Sequence, residues 1–493
     1  MTNRGAPGRT HGQTTGRSVR GGDLAPDLIS ALATESFDTL SKKFATTGRA
    51  VDFDFRAHCT TWTSRSDHFT HRMHRYPGRL TPYIPLYFLG VEGVAVTDGR
   101  LLDPFAGCGT VLVEAPVHPC HPMAAQGLEI NPLARLIAKV KTTAIPRRAI
   151  LDAWDRICEK HAADRSRRGL PDFPNKRHWF TETVEKRLAR ALRALDGLRD
   201  TDLRDFFLVA ISSVVRQVAL ADPRVSVPVI LNPQNFRDRE TRRAIRAEIT
   251  RRQDADPFTL LAAAVKSNLA RLQSWVEAVS GTRCSAAVVG PDARTFALAP
   301  YISAGQMSSA RSRRVAHVDL VLTSPPYANA QRYTRSLRLE LFTLGYTTGT
   351  QDESALDKQQ VGTERVSKGE IDSYFVASDS QCADKAIRSI RRDDPYRAAI
   401  VGKYVHDMAQ VMRNCHAALT KGGHAVFVIG NNSVRGRVVN NAQILAELGV
   451  TAGFEEILRV KNRIPSRGLL TKRHPTAGVI THEHVVVLRK PSL

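Results

Sequence analysis

Short apolar runs closed by turn residues recur along this chain, alternating with segments whose apolar positions return every three or four residues. Runs at 100–103, 125–130, 286–289, 318–322, 424–429 and 484–488 have the length and apolar character of buried strands. Helical periodicity marks 24–49, 82–90, 110–115, 132–141, 404–419 and 442–448. Strands alternating with helices imply a parallel α/β sheet. The middle of the chain breaks that alternation, because 181–198 and 202–218 carry Leu, Ala, Val and Phe at helical spacing with no strand between them. The expected organisation is an N-terminal helical segment over 24–70 and a core in three parts, 71–145, 276–345 and 395–493. A helical insertion over 146–275 and a variable loop region over 346–394 interrupt that core. No internal repeat is visible.

Charge adds an expected partner. The 493 residues hold 71 Lys and Arg against 48 Asp and Glu, a net charge of +23. A field of that sign draws polyanions, so nucleic acid is the expected partner, although an Arg-rich proteome alone would raise the count. Seven arginines fall within 237–252, on a helix suited either to phosphate or to plain solvation. The seven cysteines are scattered without a CxxC pair, as expected for a reducing cytoplasm. No apolar run approaches the ~20 residues that span a bilayer, so no membrane partner is expected. Residues 1–23 are rich in Gly, Arg and Thr, lack the apolar centre of a signal peptide, and read as a disordered basic arm. The cluster His118-Pro-Cys120-His121 lacks a second ligand pair at zinc spacing, so no metal is expected.

Two segments point to a nucleotide-like ligand. Asp103-Pro-Phe105-Ala-Gly107-Cys-Gly109-Thr110 lies between an expected strand and helix. Its glycines permit a sharp turn and close ligand approach, beside a helix N-terminus. The next strand ends at Glu129, about twenty residues on, where an acid accepts from ribose hydroxyls; a helix-start acid is the plainer reading. After the third strand, Asp292 is placed to accept from an adenine amino group, or simply to form a turn.

Val318–Leu322 runs into Thr323-Ser324-Pro325-Pro326-Tyr327, the most specific feature of the sequence. Two prolines fix φ and remove two backbone donors, leaving a rigid set of acceptors and one aromatic ring. Such a set suits an exocyclic base amine, whose lone pair is delocalised into the ring. Acceptors on its N–H bonds, Ser324 Oγ and the Pro325 carbonyl, would localise that pair. Tyr327 would stack on the base once it leaves the duplex.

Together these segments resemble the amino-directed DNA methyltransferases. DPFAGCGT is similar to the family's first S-adenosylmethionine motif, GLEINP to its second, GPDAR to its third and TSPPY to its catalytic motif. HRYPGRL, with Tyr76, resembles the motif that contacts the methionine part of the cofactor, and 333–344, 421–432 and the last strand extend the likeness to about half the chain. The resemblance implies a Rossmann-like, mainly parallel seven-stranded methyltransferase sheet with an antiparallel last strand, S-adenosylmethionine as methyl donor, and DNA as substrate. Ser at the first catalytic position goes with cytosine N4, while Asp or Asn goes with adenine N6. Adenine N6, an RNA base amine and a non-catalytic DNA-binding subunit are the alternatives. A cognate restriction endonuclease is a further candidate partner, and a cytoplasmic, nucleoid-associated location is expected. The family's recognition region usually lies elsewhere, so 146–275 and 345–394 compete for that role.

Overall fold

The computed structural model describes residues 24–60, 68–296, 298, 317–329, 333–464 and 480–492. The basic arm expected over 1–23 lies outside them. The strands are β1 (Val51–Asp52), β2 (Arg100–Asp103), β3 (Ala124–Leu128), β4 (Ala286–Gly290), β5 (Val318–Thr323) and β6 (Leu419–Gly430). A small hairpin, β7 (Asn432–Val434) and β8 (Arg437–Val439), is followed by β9 (Glu455–Arg463) and β10 (His482–Arg489).

Eight of these form one sheet in the order β1-β9-β10-β6-β5-β2-β3-β4. Every pairing is parallel except those of β10, which runs against both β6 and β9. The sheet is therefore the expected doubly wound α/β type with an antiparallel strand from the end of the chain. It has eight strands rather than seven, because two residues of the N-terminal segment add an edge: Val51 pairs with Val460 and Asp52 with Lys461. The chain lays down β2, β3 and β4 on one side, then returns to place β5 on the other side of β2. The order reverses at the β2/β5 boundary, where α/β sheets open a crevice at the carboxyl ends of their strands.

Strand periodicity splits the core into two layers. Leu101, Leu320, Leu322, Val426 and Val428 face the layer built from helices Pro26–Thr47 and Tyr83–Gly90. Leu102, Val321, Phe427 and Ile429 face the opposite layer, with helices Pro395–Ala418 and Asn441–Thr451. Helix Pro132–Lys141 starts where Asn131 accepts from the amides of Leu133 and Ala134 and proline supplies the first helical residue.

The stretch after that helix is helical, ending with Pro257–Ser280. It buries Phe206, Phe207, Leu261 and Leu272 in one cluster with Leu133, Ile137 and Val140, so it shares a core with the sheet's own helix. Trp275 anchors it further, its indole N–H donating to the Val113 carbonyl at 3.0 Å. The 346–394 stretch, expected as a loop region, holds helices Thr350–Gln359 and Gln381–Arg391. Ala383, Ile387 and Ile390 of the second are buried against Val401 and Val405 of helix Pro395–Ala418.

Candidate active site

At the end of β2 the chain turns through Gly107 (φ 52°) and Gly109 (φ 81°), both in the left-handed region. A Cβ on Gly109 would lie 3.1 Å from Ala138 Cα, so only glycine lets the loop sit this close to helix Pro132–Lys141. The loop is held from three sides. Ala106 N–H donates to Leu128 O at 2.9 Å, and Gly107 N–H donates to Glu129 Oε2 at 2.9 Å. From below, the fully buried Lys141 ammonium donates to Cys108 O at 2.9 Å, and burial lowers its pKa.

Glu129 stands at the tip of β3 with its second oxygen accepting from Asn131 N–H at 2.7 Å. Burial pushes its carboxyl up to about 7, against the pull of those backbone donors. Asp103 behaves alike, raised by burial to about 7 while it accepts from Thr323 Oγ1 at 2.6 Å and Phe105 N–H at 3.2 Å. The Thr323 hydroxyl thereby ties the end of β5 to the end of β2.

Ser324 follows directly. Its hydroxyl donates to Val428 O at 3.0 Å on β6, which commits the proton and leaves oxygen lone pairs free to accept. One cavity is lined by Tyr76, Asp103, Phe105, Gly107, Thr110 and Glu129 on the loop side, and by Asp292, Ser324 and Pro326 on the other. Gly109, Pro325 and Tyr327 do not line it. Gly109 makes the turn, and Pro325 is buried. Tyr327 is half-buried with its ring against Gly430, where a Cβ would come within 2.8 Å of Cε2. Asp292 is largely engaged: Arg294 Nη2 donates to it at 2.7 Å and the Arg294 amide at 2.9 Å. Burial raises that carboxyl, but the Arg294 bonds outweigh it and hold it below the usual range.

Tyr333, Gln359, Gln360 and Val361 also line the cavity, and none of them is among the site residues expected from sequence. Tyr333 stacks on Tyr76, with ring centroids 6.3 Å apart and planes 12° from parallel. The Gln360 amide donates to Thr334 Oγ1 at 2.7 Å. Gly362 (φ 78°) then approaches so closely that a Cβ would lie 3.1 Å from Pro326 Cβ and 3.2 Å from Tyr327 O. Residues 359–362 thus form a strap across the acceptor motif. Only Tyr333 carried a sequence signal, since it opens one of the stretches that resemble the methyltransferases.

A doubly wound sheet with a glycine turn and a carboxylate tip at its switch point, facing a strand end of acceptors, defines an α/β protein with one cavity between them. No family model matches the sequence. The Type II methyltransferase M.MvaI of Kocuria varians is 24% identical over 465 residues, 90% of this chain and 93% of that one. Two solved structures of the rRNA methyltransferase aviRa from Streptomyces viridochromogenes align over 85% of this chain and 88% of that one. They are 11% and 12% identical to it, with TM-scores of 0.24 and 0.22. The similarity to M.MvaI over nearly the whole of both chains supports a methyltransferase. Among the described residues, no helix is long and apolar enough to cross a membrane.

Proposed function

We propose that this chain transfers a methyl group from S-adenosylmethionine to the exocyclic N4 amino group of cytosine in DNA. The observation that carries this reading is Ser324: its hydroxyl proton is spent on Val428, and it lines one cavity with Gly107 and Glu129. That cavity suits the donor's chemistry. Asp103, Glu129 and Asp292 bring three carboxyls to a ligand that carries an ammonium, a sulfonium, ribose hydroxyls and an adenine amine. Tyr76, Phe105 and Thr110 complete its holding set, and Gly109 shapes the turn. When bound, the sulfonium supplies an electrophilic methyl group.

The chain's own part is electrostatic. Ser324 Oγ and the Pro325 carbonyl accept the amine's N–H bonds, concentrate its lone pair on nitrogen and stabilise the positive charge that develops as it attacks. The backbone around them is rigid, because the Pro325–Pro326 pair cannot relax φ and the strap at Gly362 presses on it. Tyr327, which packs on Gly430 just outside the cavity lining, is the aromatic ring on which the extruded base would stack, offsetting part of an unstacking cost of roughly a few kcal/mol. Ser in the first motif position supports cytosine N4, and the +23 net charge supports a polyanionic substrate.

Nucleoside mass spectrometry on DNA from an expressing host tests the proposal, with N4-methylcytosine expected. A rise in N6-methyladenine without it would move the target to adenine, and modified RNA with unmodified DNA would move the substrate. Calorimetry with S-adenosylmethionine is expected to give heat; its absence would leave a non-catalytic shell.

A further inference from the structure

The cavity explains how a base and a methyl donor meet, yet a long polyanion needs a seat outside it. Helix Arg239–Gln253 supplies one. Asp238 caps it by accepting from the Thr241 amide, and Ile245 and Arg252 are its buried residues. Arg252 is spent inward: it pairs with Glu248 and donates to Ala221 O at 2.8 Å. Glu248 also binds Arg251, so that acid is neutralised locally.

The opposite face is different. Arg239, Arg243 and Arg246 are exposed, and their guanidinium groups make no hydrogen bond or ion pair among the described residues. Their spacing of four and three residues aligns them on one side of the helix. With Arg242 they line an open groove at the start of the helix. Residues 239 to 246 rise about 10 Å, the axial length of about three phosphates on one strand at 3.4 Å each.

A chain of shared lining residues connects this groove to the cavity. Tyr76 and Gly78 line both the cofactor cavity and a second polar cavity that reaches Arg216 and Arg252. Pro223 lines that second cavity and also the hollow under the helix, and Asp238 and Glu240 belong to that hollow and to the arginine groove.

We infer that Arg239, Arg243 and Arg246 grip backbone phosphates of the DNA whose base enters the cavity, a sequence-independent contact that positions rather than reads. The inference rests on the DNA methyltransferase reading above, and the test separates the two. Binding of the full chain to a fluorescein-labelled duplex is measured by anisotropy across a salt series, with melting temperature and S-adenosylmethionine calorimetry reporting the fold of each variant. In R239Q/R243Q/R246Q, the slope of log affinity against log salt is expected to shrink by about 2.7, since each lost phosphate contact removes about 0.9. R239K/R243K/R246K keeps the charges and is expected to keep the slope. A wild-type slope in the glutamine variant would overturn the inference while leaving the methyl-transfer reading intact. So would an equal loss in the lysine variant, which would make the contact one of shape rather than charge. Wild-type protein that ignores duplex DNA but binds an RNA hairpin would overturn both.

Discussion

Replacing Ser324 by Ala removes one atom whose two jobs separate cleanly. Structurally, Oγ donates to Val428 O at 3.0 Å between β5 and β6, and that bond is worth about 0.5–1.5 kcal/mol of stability. The backbone stays in place without it, because Thr323 is tied to Asp103 and Pro325–Pro326 fixes the following dihedrals. Under the proposed reaction the same oxygen would be one of two preorganised acceptors on the reacting amine in the transition state. Loss of a single group of that kind typically costs about 2.7–4 kcal/mol, or roughly a hundred- to thousandfold in turnover. Ser324→Ala is therefore expected to lower the single-turnover rate of N4-methylcytosine formation by that factor, read by mass spectrometry. Its S-adenosylmethionine affinity, read by calorimetry, should move by less than about threefold, since Asp103, Glu129 and the glycine turn are untouched. A rate loss under about fivefold, or an affinity loss equal to the rate loss, would refute the acceptor role.

Gly109→Ala forces a Cβ into left-handed backbone at φ 81° and to within 3.1 Å of Ala138 Cα. It is expected to cost about 1–3 kcal/mol in chemical denaturation and to weaken S-adenosylmethionine binding, because the loop must shift; unchanged stability would contradict the crowding. Glu340 is buried, and burial raises its carboxyl from 4.5 to about 7, with Arg216 pulling the other way. Between those values the folded chain holds a proton that the unfolded chain has released, so its contribution to stability falls as pH rises through that window. The loss reaches at most about 3 kcal/mol above it. Glu340→Gln is expected to flatten that part of the stability–pH curve, with Asp103 and Glu129 leaving a residual slope of the same sign; denaturant melts of both proteins at acidic and mildly alkaline pH would show it, and parallel curves would exclude Glu340 as a source.

Much of the sheet could be read from the chain because its central strands are buried on both faces. Val318–Thr323 is apolar at all but Asp319 and its terminal Thr323, and ends on two prolines, so both its existence and its stop are local properties. β9 is the contrary case: only Leu458, Val460 and Asn462 are buried, and charges at all the remaining positions of EEILRVKNR except Ile457 make it look like a polar connector. The two-residue β1 has no sequence signal, since it exists only because β9 offers an edge. Helix Thr350–Gln359 was hidden likewise by its composition, TQDESALDKQ, with just Ala355 and Leu356 apolar. At the site, the glycine turn and the acceptor motif are contiguous strings and stood out. The strap at 359–362 did not, because its place beside Pro326 comes from packing between distant segments. Asp292 could be seen as a site acid, but the competing Arg294 two residues on shows its claim on the carboxylate only in three dimensions.

The pairing of β2 with β5 has a consequence for how the protein is made. Leu101 and Leu102 find Leu320 and Val321 as partners only after more than two hundred further residues have been synthesised. Until then, β2 can be sealed by β3 on one flank while the other presents bare amides and carbonyls to any passing strand. A nascent chain halted before residue 318 would carry the whole glycine loop yet be an aggregation hazard rather than a half-enzyme. Folding of this protein is accordingly expected to be slow and dependent on the late arrival of β5.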